Sequence, residues 1–208
     1  MRDRLLESAT ALFARRGFGT VGIREIAASA GVTPGMIAYY FGGKQGLYEA
    51  MLDHVFGRLL GQLRELSAAP AHDSEPIEAF FQLYITTLAH DPWIPQLIAR
   101  EVLIGDGPLR AHFLERFASQ VAQIIPALLE REKAEGRLRE DLDPVLTFLS
   151  LIGAAVFPYL SHPLASQVLG HRLDEAFRDR LIAHASRLFL EGARPVQTRA
   201  GETEGVGP

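Results

Sequence analysis

Residues 30–44 read AGVTPGMIAYYFGGK, and this stretch predicts a short helix with clear ends. Thr33 can cap the helix with its hydroxyl, and Pro34 suits the first helical position because the N–H that it lacks would have no partner there. Gly42 and Gly43 end the helix after about two turns. A helix of this length is marginal alone in water, so tertiary packing must hold it in place.

The two sides of this short helix differ in chemistry. Ile37 and Phe41, four residues apart, form a stripe that can pack against the rest of the protein. Tyr39 lies on the opposite side, with Gly35 one turn before it. We therefore expect the side that carries Tyr39 to contact something outside the protein.

The composition excludes several classes of function. The 208 residues are 48% hydrophobic, enough for one sizeable core and a small second domain, and they include no cysteine. Disulfides, thiolate metal sites and a cysteine nucleophile are therefore excluded, and a reducing compartment is permitted.

Charges interrupt residues 1–17, so we expect no signal peptide. The longest apolar run, 145–160, is broken by Gly153 and Pro158 and predicts a buried helix. We expect a soluble, cytoplasmic protein without a membrane partner.

The charge is unevenly distributed along the chain. The formal net charge is −4, but residues 1–48 hold six basic and three acidic side chains, so the remaining 160 residues carry −7. A basic segment on an acidic body can still bind phosphates. A difference this small also arises by chance, so it supports nucleic-acid binding only together with other features.

Helical periodicity dominates the chain, and no segment alternates as a strand would. Apolar residues spaced by three or four, with glycine or proline at the breaks, predict an all-α fold. The expected helices cover residues 5–16, 22–30, 34–41, 47–66, 75–90, 93–104, 109–135, 145–160 and 173–191. Between them we expect a loop at 70–76 with Ser74 as a cap, a turn at 105–108 and a bend at Pro126.

The second and third helices, joined at Gly31 and Val32, form a helix-turn-helix unit. We expect the second helix to turn four apolar residues inward, namely Ile23, Ile26, Ala27 and Ala30. In such a unit the third helix enters the DNA major groove, with its first residues nearest the bases. Lys44, at the start of the fourth helix, is placed to pair with a phosphate.

These residues resemble the TetR family of transcriptional regulators. The family pattern appears here as Leu12-Phe13, Gly17, Ile26-Ala27, Ala30-Gly31-Val32, Phe41, Lys44 and Leu47, and the spacing holds without a gap. The resemblance implies a helix-turn-helix DNA-binding domain at 1–46 and a helical effector-binding and dimerisation domain at 47–192. We expect residues 193–208 to form a disordered tail, because they are rich in Gly, Pro and Thr. The DNA-binding candidates are Arg24, Thr33, Pro34, Gly35, Met36, Ala38, Tyr39, Tyr40 and Lys44.

The sequence departs from the family pattern at three positions. Gly22 stands where the family usually has a Thr or Ser cap, Ala38 where it usually has Tyr, and Tyr40 where it often has His. Tyr40 could replace the histidine as a phosphate donor, and Ala38 could offer only an apolar contact, for instance to a thymine methyl. Arg24 could reach DNA, or it could be a solvated arginine paired with a nearby acid.

The resemblance further implies a repressor that binds a palindromic operator as a homodimer and is released by a small effector. The helices 145–160 and 173–191 fit a four-helix dimer interface, because the first is apolar nearly all round and must be covered on every side. The candidates for contact with a largely apolar effector are Phe80, Phe81, Tyr84, Trp93, Arg100, Phe113, Phe117, Phe157 and Tyr159. Each aromatic residue could equally be plain core, and Arg100 could form a surface ion pair with Glu101.

Two other classes of function were weighed against a regulator. An enzyme is disfavoured because the seven histidines are scattered, no metal-ligand spacing appears, and no glycine loop could hold a phosphate. We expect no cofactor, no metal and no catalytic residue. A helical sensor that has lost DNA binding is the second alternative, which Ala38 and the acidic net charge would suit. Binding to the DNA that flanks the gene separates both alternatives from a regulator.

Overall fold

The computed structural model describes residues 1–68, 75–104, 108–170 and 172–194. Over these ranges the chain is helical and has no strand, as the sequence predicts. The predicted Ser74 cap, most of the 70–76 loop and 105–108 turn, and the tail from 195 on lie outside the described residues. The helices are α1 Arg2–Arg16, α2 Ile23–Ser29, α3 Gly35–Phe41, α4 Lys44–Ala68, α5 Pro76–His90, α6 Ile94–Ile98, α7 Pro108–Phe113, α8 Ser119–Ala134, α9 Pro144–Leu160, α10 His162–Leu169 and α11 Glu175–Ala193.

Helices α1 to α3 and the first turns of α4 form one packed unit, which we call the head. The ring of Tyr48 in α4 packs edge-on against Phe13 of α1 at 4.8 Å and against Phe18 at 5.1 Å. The predicted boundary at 46/47 therefore falls inside α4, a helix whose early residues are part of the head core. Helix α4 continues for 25 residues and joins the head to the other helices.

The connection from α3 to α4 needs glycine. Gly42 ends α3 in the left-handed conformation, with φ 72°, and its N–H bonds to the carbonyl of Ala38. A Cβ on Gly46 would lie 1.9 Å from the carbonyl oxygen of Phe41. Only glycine therefore lets α4 begin this close to the end of α3.

The remaining helices pack around α4 and α5. Helix α5 lies between α4, α9 and α11, and Phe81 of α5 meets Phe189 of α11 at 5.3 Å. A π-helical segment, Ala99–Leu103, extends α6, and a second one, Leu114–Ala118, joins α7 to α8. The predicted helix 109–135 is thus a continuous run with a π-helical segment inside it, and Pro126 lies within α8.

Side-chain caps begin two of the later helices, whereas one predicted cap in the head is wrong. The Asp143 carboxylate accepts bonds from the amides of Val145 and Leu146, and Pro144 is the first residue of α9. Asp174 caps α11 by accepting from the amide of Phe177. The predicted hydroxyl cap at Thr33 is wrong, because α3 has no side-chain cap bond and the Thr33 carbonyl accepts from Met36 instead.

One further prediction about burial was wrong, and a second, that α9 is covered on every side by its own domain or also by a partner, is met only in part by the single chain. Ile23 is exposed at the start of α2, where it precedes the buried pair Ile26 and Ala27. Helix α9 buries only Leu151, Ala155 and Tyr159 and is not covered on every side. Its outer face exposes four large apolar side chains, namely Val145, Leu146, Leu149 and Phe157. The short helix α10 was not predicted.

Across the ranges described, no single helix is long and apolar enough to cross a membrane. Helices α9 and α10 meet that test of length and composition only when taken together, and they are bent by 69° relative to each other.

Candidate nucleic-acid interface and ligand cavity

The turn between α2 and α3 is built from backbone hydrogen bonds. The amide of Val32 donates to the carbonyl of Ala27 at 3.0 Å, and the amide of Gly31 donates to Ala28 at 3.1 Å. Ile37 of α3 is fully buried, and Phe41 packs against the same core. This packing fixes which side of α3 faces away from the protein.

The exposed side of α3 carries the predicted contact residues. Tyr39 is 78% exposed, and its ring lies 5.0 Å from that of Tyr40, in an edge-on arrangement. Met36 is half-buried and packs against the core. The exposed candidates on or next to α3 are Thr33, Pro34, Gly35, Ala38, Tyr39 and Tyr40. The surface therefore offers two phenolic hydroxyls beside small side chains that leave room for close approach.

The basic residues of the head divide into structural and free groups. Arg4 donates to the carbonyl of Ala30, and Arg16 pairs with Glu25. Arg24 is exposed and forms no hydrogen bond or ion pair with any described residue. The Lys44 ammonium lies 4.3 Å from the centre of the Phe18 ring. Arg24 and Lys44 thus remain available to bind an anion. The charge count of the sequence could not distinguish these two residues from Arg4 and Arg16.

A cavity of about 400 Å³ lies among α4, α5, α6, α8 and α9. This volume is typical of small-molecule sites. The lining side chains are apolar apart from one tyrosine hydroxyl, and none is charged. They belong to Phe56, Leu59, Leu60, Tyr84, Leu88, Ile94, Pro95, Ile98, Leu103, Phe113, Phe117, Ala118, Val121, Ala122, Phe148, Leu149, Ile152, Val156 and Leu160.

Three of the predicted effector-contact residues line this cavity: Tyr84, Phe113 and Phe117. Phe113 and Phe117 pack on Phe56 of α4, at 5.2 and 5.3 Å between ring centres. Burial raises the pKa of Tyr84 to about 12, so its hydroxyl stays protonated at neutral pH. The aliphatic residues that complete the lining carry no signal in the sequence that separates them from ordinary core.

The other predicted contact residues lie elsewhere. Phe80 and Phe81 are buried core, and the buried Tyr159 hydroxyl donates to the carbonyl of Ile85 at 3.3 Å. The Trp93 indole donates to Asp91 at 3.1 Å, and Phe157 is 65% exposed on α9. These five side chains are not brought into the cavity lining.

Arg100 forms an ion pair with Glu101, the alternative to a ligand contact. Its Nε lies 2.9 Å from Oε1 of Glu101, on the side of the π-helical segment 99–103 that faces the head. The same carboxylate oxygen accepts the backbone N–H of Phe18 at 3.4 Å. Burial, and secondarily the negative charge of Glu101, raise the pKa of the Tyr48 phenol above its ordinary value. Arg100 and Glu101 thus contact the head, not the cavity lining.

Among the described side chains, no group of three or more His, Asp or Glu is arranged to hold a metal ion.

Comparisons with known proteins agree with this architecture. Residues 5–51 match the model for bacterial regulatory proteins of the tetR family, and residues 74–188 match the tetracyclin repressor-like C-terminal domain. The HTH-type transcriptional repressor NicS of Pseudomonas putida is 25% identical over 198 residues, which are 93% of this chain and 92% of NicS.

Two solved structures share the fold. The ketosteroid transcriptional regulator KstR2 of Mycobacterium tuberculosis superposes with a TM-score of 0.73 at 21% identity, over 93% of this chain and 95% of that one. FadR of Bacillus subtilis, solved in complex with stearoyl-CoA, superposes with a TM-score of 0.70 at 18% identity. The superposition covers 89% of this chain and 98% of the FadR chain. The second family model alone spans more than half of the sequence. The chain therefore belongs to the TetR family of bacterial transcriptional regulators.

Proposed function

We propose that this protein is a cytoplasmic, non-catalytic repressor that binds a palindromic DNA operator as a homodimer and is released by a small, largely apolar effector. The observation that carries the proposal is the course of α4. Leu47 and Tyr48 of this helix are buried in the head, and Phe56, Leu59 and Leu60 line the cavity. One unbroken helix thus belongs to both places where a ligand would bind.

The surface of α3 supports DNA binding. Tyr39 and Tyr40 present hydroxyls that can donate to phosphates or base edges, and the unpaired Arg24 can reach either. Lys44 adds a positive charge next to the end of α3, where a phosphate of the backbone would lie. Small side chains at Gly35 and Ala38 allow the helix to approach the base edges closely.

The outer faces of α9 and α11 support a homodimer. Leu146 and Phe157 are exposed apolar side chains of α9 outside the cavity lining, and Leu188 of α11 is 61% exposed. Burying such surface against a second copy is favourable at about 25 cal/mol per Å². Two heads related by a two-fold axis would read half-sites about 34–36 Å apart or somewhat more.

The cavity supports an apolar effector. Its lining carries no charge that could compensate a buried ion. The relatives in the comparison include a ketosteroid regulator and a protein solved with stearoyl-CoA, and both compounds carry large hydrocarbon portions. An effector shifts the protein only if it binds the state with low DNA affinity more tightly than the other state. A coupling of about 1–3 kcal/mol would weaken operator binding by about 5- to 150-fold.

The test is a gel-shift titration against the DNA that flanks the gene, with random DNA of equal length as competitor. Tyr39→Ala should raise the protein concentration at half-saturation by about tenfold or more, because each dimer loses two contacts. The matched control is Leu164→Ala, which shortens an exposed apolar side chain of α10 outside the head and should leave binding unchanged. Failure of the wild-type protein to prefer the flanking DNA would favour a helical sensor without DNA binding. Compounds found by thermal-shift screening are then titrated with and without the bound DNA.

A further inference from the structure

Among the described residues that line the 400 Å³ cavity, Tyr84 is the one that carries a polar side-chain group, its hydroxyl. The ring of Tyr84 stacks on Phe80, with 5.4 Å between centres and 19° between planes. This stacking holds the ring against α5 and limits the positions that the hydroxyl can take.

Tyr48 and Tyr159 are buried and Tyr84 is half-buried, and the three differ in how their hydroxyls are satisfied. The Tyr159 hydroxyl donates to the backbone of Ile85. The Tyr48 hydroxyl is enclosed by protein atoms and has no partner. The Tyr84 hydroxyl has no hydrogen-bond partner in the described ranges, and it is not enclosed as that of Tyr48 is. It therefore meets free space. Tyr84 lines both the 400 Å³ cavity and a much smaller void beside it, and only the cavity is large enough to hold a ligand.

A polar group left unpaired in an apolar cavity selects strongly among ligands. A ligand that supplies the missing partner gains a hydrogen bond at low local dielectric, whereas one without it leaves the hydroxyl desolvated. None of the described lining residues is charged, so an ionised ligand group among them would be buried without a counter-charge. These two conditions together define a chemical class.

We propose that the cavity binds an uncharged, largely apolar molecule that carries one oxygen function, a carbonyl or a hydroxyl, paired with the Tyr84 hydroxyl. This rests on the proposed function, because it concerns the effector site, and it narrows the effector from any apolar compound to a neutral mono-oxygenated one. Tyr84 is the residue that determines specificity in this site.

The experiment compares three probes that share one ring system: 2-acetylnaphthalene, 2-ethylnaphthalene and 2-naphthoate. Equilibrium dialysis, followed by naphthalene fluorescence, gives the affinity of each for the full-length protein. The acetyl compound should bind about 5- to 100-fold more tightly than the ethyl compound, and the carboxylate most weakly. In Tyr84→Phe, which keeps the ring and its stacking on Phe80, the acetyl and ethyl compounds should bind alike.

Tyr159→Phe is the matched control, because it removes a buried tyrosine hydroxyl that already has a partner outside the cavity lining. It should leave the preference for the acetyl compound intact. Equal affinities for the acetyl and ethyl compounds in the wild-type protein, or tightest binding of the carboxylate, would overturn the role of Tyr84 while leaving an effector cavity in place. Binding with the expected preference but without any effect on DNA affinity would instead contradict the proposed function and leave the ligand class standing. If no probe bound at all, the proposed ligand class would fail, whereas operator binding is decided separately by the gel-shift titration.

Discussion

The backbone N–H of Phe18 donates a hydrogen bond to Oε1 of Glu101, a residue 83 positions further along the chain. Arg100 holds the same oxygen, and its guanidinium covers Gly17 so closely that a Cβ there would lie 2.7 Å from Nη2. Phe18 lies in the head, whereas Glu101 belongs to the π-helical segment 99–103, whose Leu103 lines the cavity. This contact is a second connection between head and cavity wall, besides α4.

Glu101→Ala should reduce the communication between effector and operator. The substitution removes the acceptor for Phe18 but touches neither the outer side of α3 nor the cavity lining. We therefore expect the affinity for effector alone and for operator alone to change by less than about threefold. The coupling factor, by which bound effector weakens operator binding, should fall by about 2- to 10-fold. Effector titrations with and without operator DNA measure that factor.

Asp179→Ala is the control for this substitution. Asp179 pairs with its neighbour Arg178 at 2.8 Å, just as Glu101 pairs with Arg100, but it makes no contact with the head. Its coupling factor should equal that of the wild-type protein. A wild-type coupling factor in Glu101→Ala would show that α4 alone carries the signal.

Tyr48→Phe should stabilise the head. The Tyr48 hydroxyl is buried without a partner, and removing it relieves a desolvation cost of about 1–3 kcal/mol while the ring contacts with Phe13 and Phe18 remain. Chemical denaturation at pH 7 measures the increase in the free energy of unfolding.

The pH dependence of that gain provides a second readout. Burial raises the pKa of Tyr48 above its ordinary value of 10.0, so above pH 10 the unfolded chain ionises while the folded chain stays protonated. Stability is therefore lost as the pH rises above 10, and Tyr48→Phe should lose less of it. If Tyr48→Phe and the wild-type protein were equally stable at pH 7 and also above pH 10, the Tyr48 hydroxyl would be in contact with water.

The head could be predicted from sequence because its signals are local. The glycines after α3 and the apolar spacing act within a few residues, and they correctly give α1 to α3, although the predicted Thr33 hydroxyl cap is wrong. Helix α10 was missed because it is only eight residues long and none of its side chains is fully buried. Its place depends on packing against α9.

The cavity could be predicted only in part, because a void is set by what several helices leave unfilled. Phe80, Phe81 and Tyr84 are alike in sequence as aromatic residues of α5, yet only Tyr84 lines the cavity. The π-helical segments beside it also depend on tertiary packing, since no local residue pattern requires an extra residue in the helical turn. The aliphatic lining, such as Leu59 and Ile152, is indistinguishable in sequence from filled core.

Gly46→Ala should destabilise the head by about 1–3 kcal/mol or more, because the new methyl would collide with the backbone carbonyl of Phe41 and no side-chain rotation can relieve the clash. Gly57→Ala is the control in the same helix, where a Cβ would meet nothing within 4 Å. It should stabilise α4 by up to about 1 kcal/mol, because alanine favours helix over glycine. Thermal unfolding of both variants tests the pair, and a Gly46→Ala protein as stable as the wild type would contradict the close α3–α4 contact.

Leu188→Asp should convert the dimer to a monomer. Leu188 is exposed on α11, so an aspartate there is tolerated in one protomer but would be an unpaired charge in the dimer interface, at a cost of several kcal/mol. Leu181→Asp in the same helix is less informative because Leu181 packs partly against its own core. Sedimentation should show monomers with wild-type helix content, and footprinting should show loss of the operator. A dimeric Leu188→Asp protein would place the interface elsewhere.

Lys44→Ala should flatten the salt dependence of DNA binding. Each phosphate contact contributes about 0.9 to the slope of log affinity against log salt, so a dimer that loses two contacts should lose about 2 from the slope. Affinity should fall equally for operator and random DNA, because phosphate contacts carry no sequence information. Arg58→Ala removes the same charge from the same helix, about 21 Å further along, from a side chain that is 61% exposed and only loosely paired with Asp91 at 3.9 Å. Its slope should stay that of the wild-type protein. If both variants changed the slope equally, the effect would come from net charge, and Lys44 would not contact a phosphate.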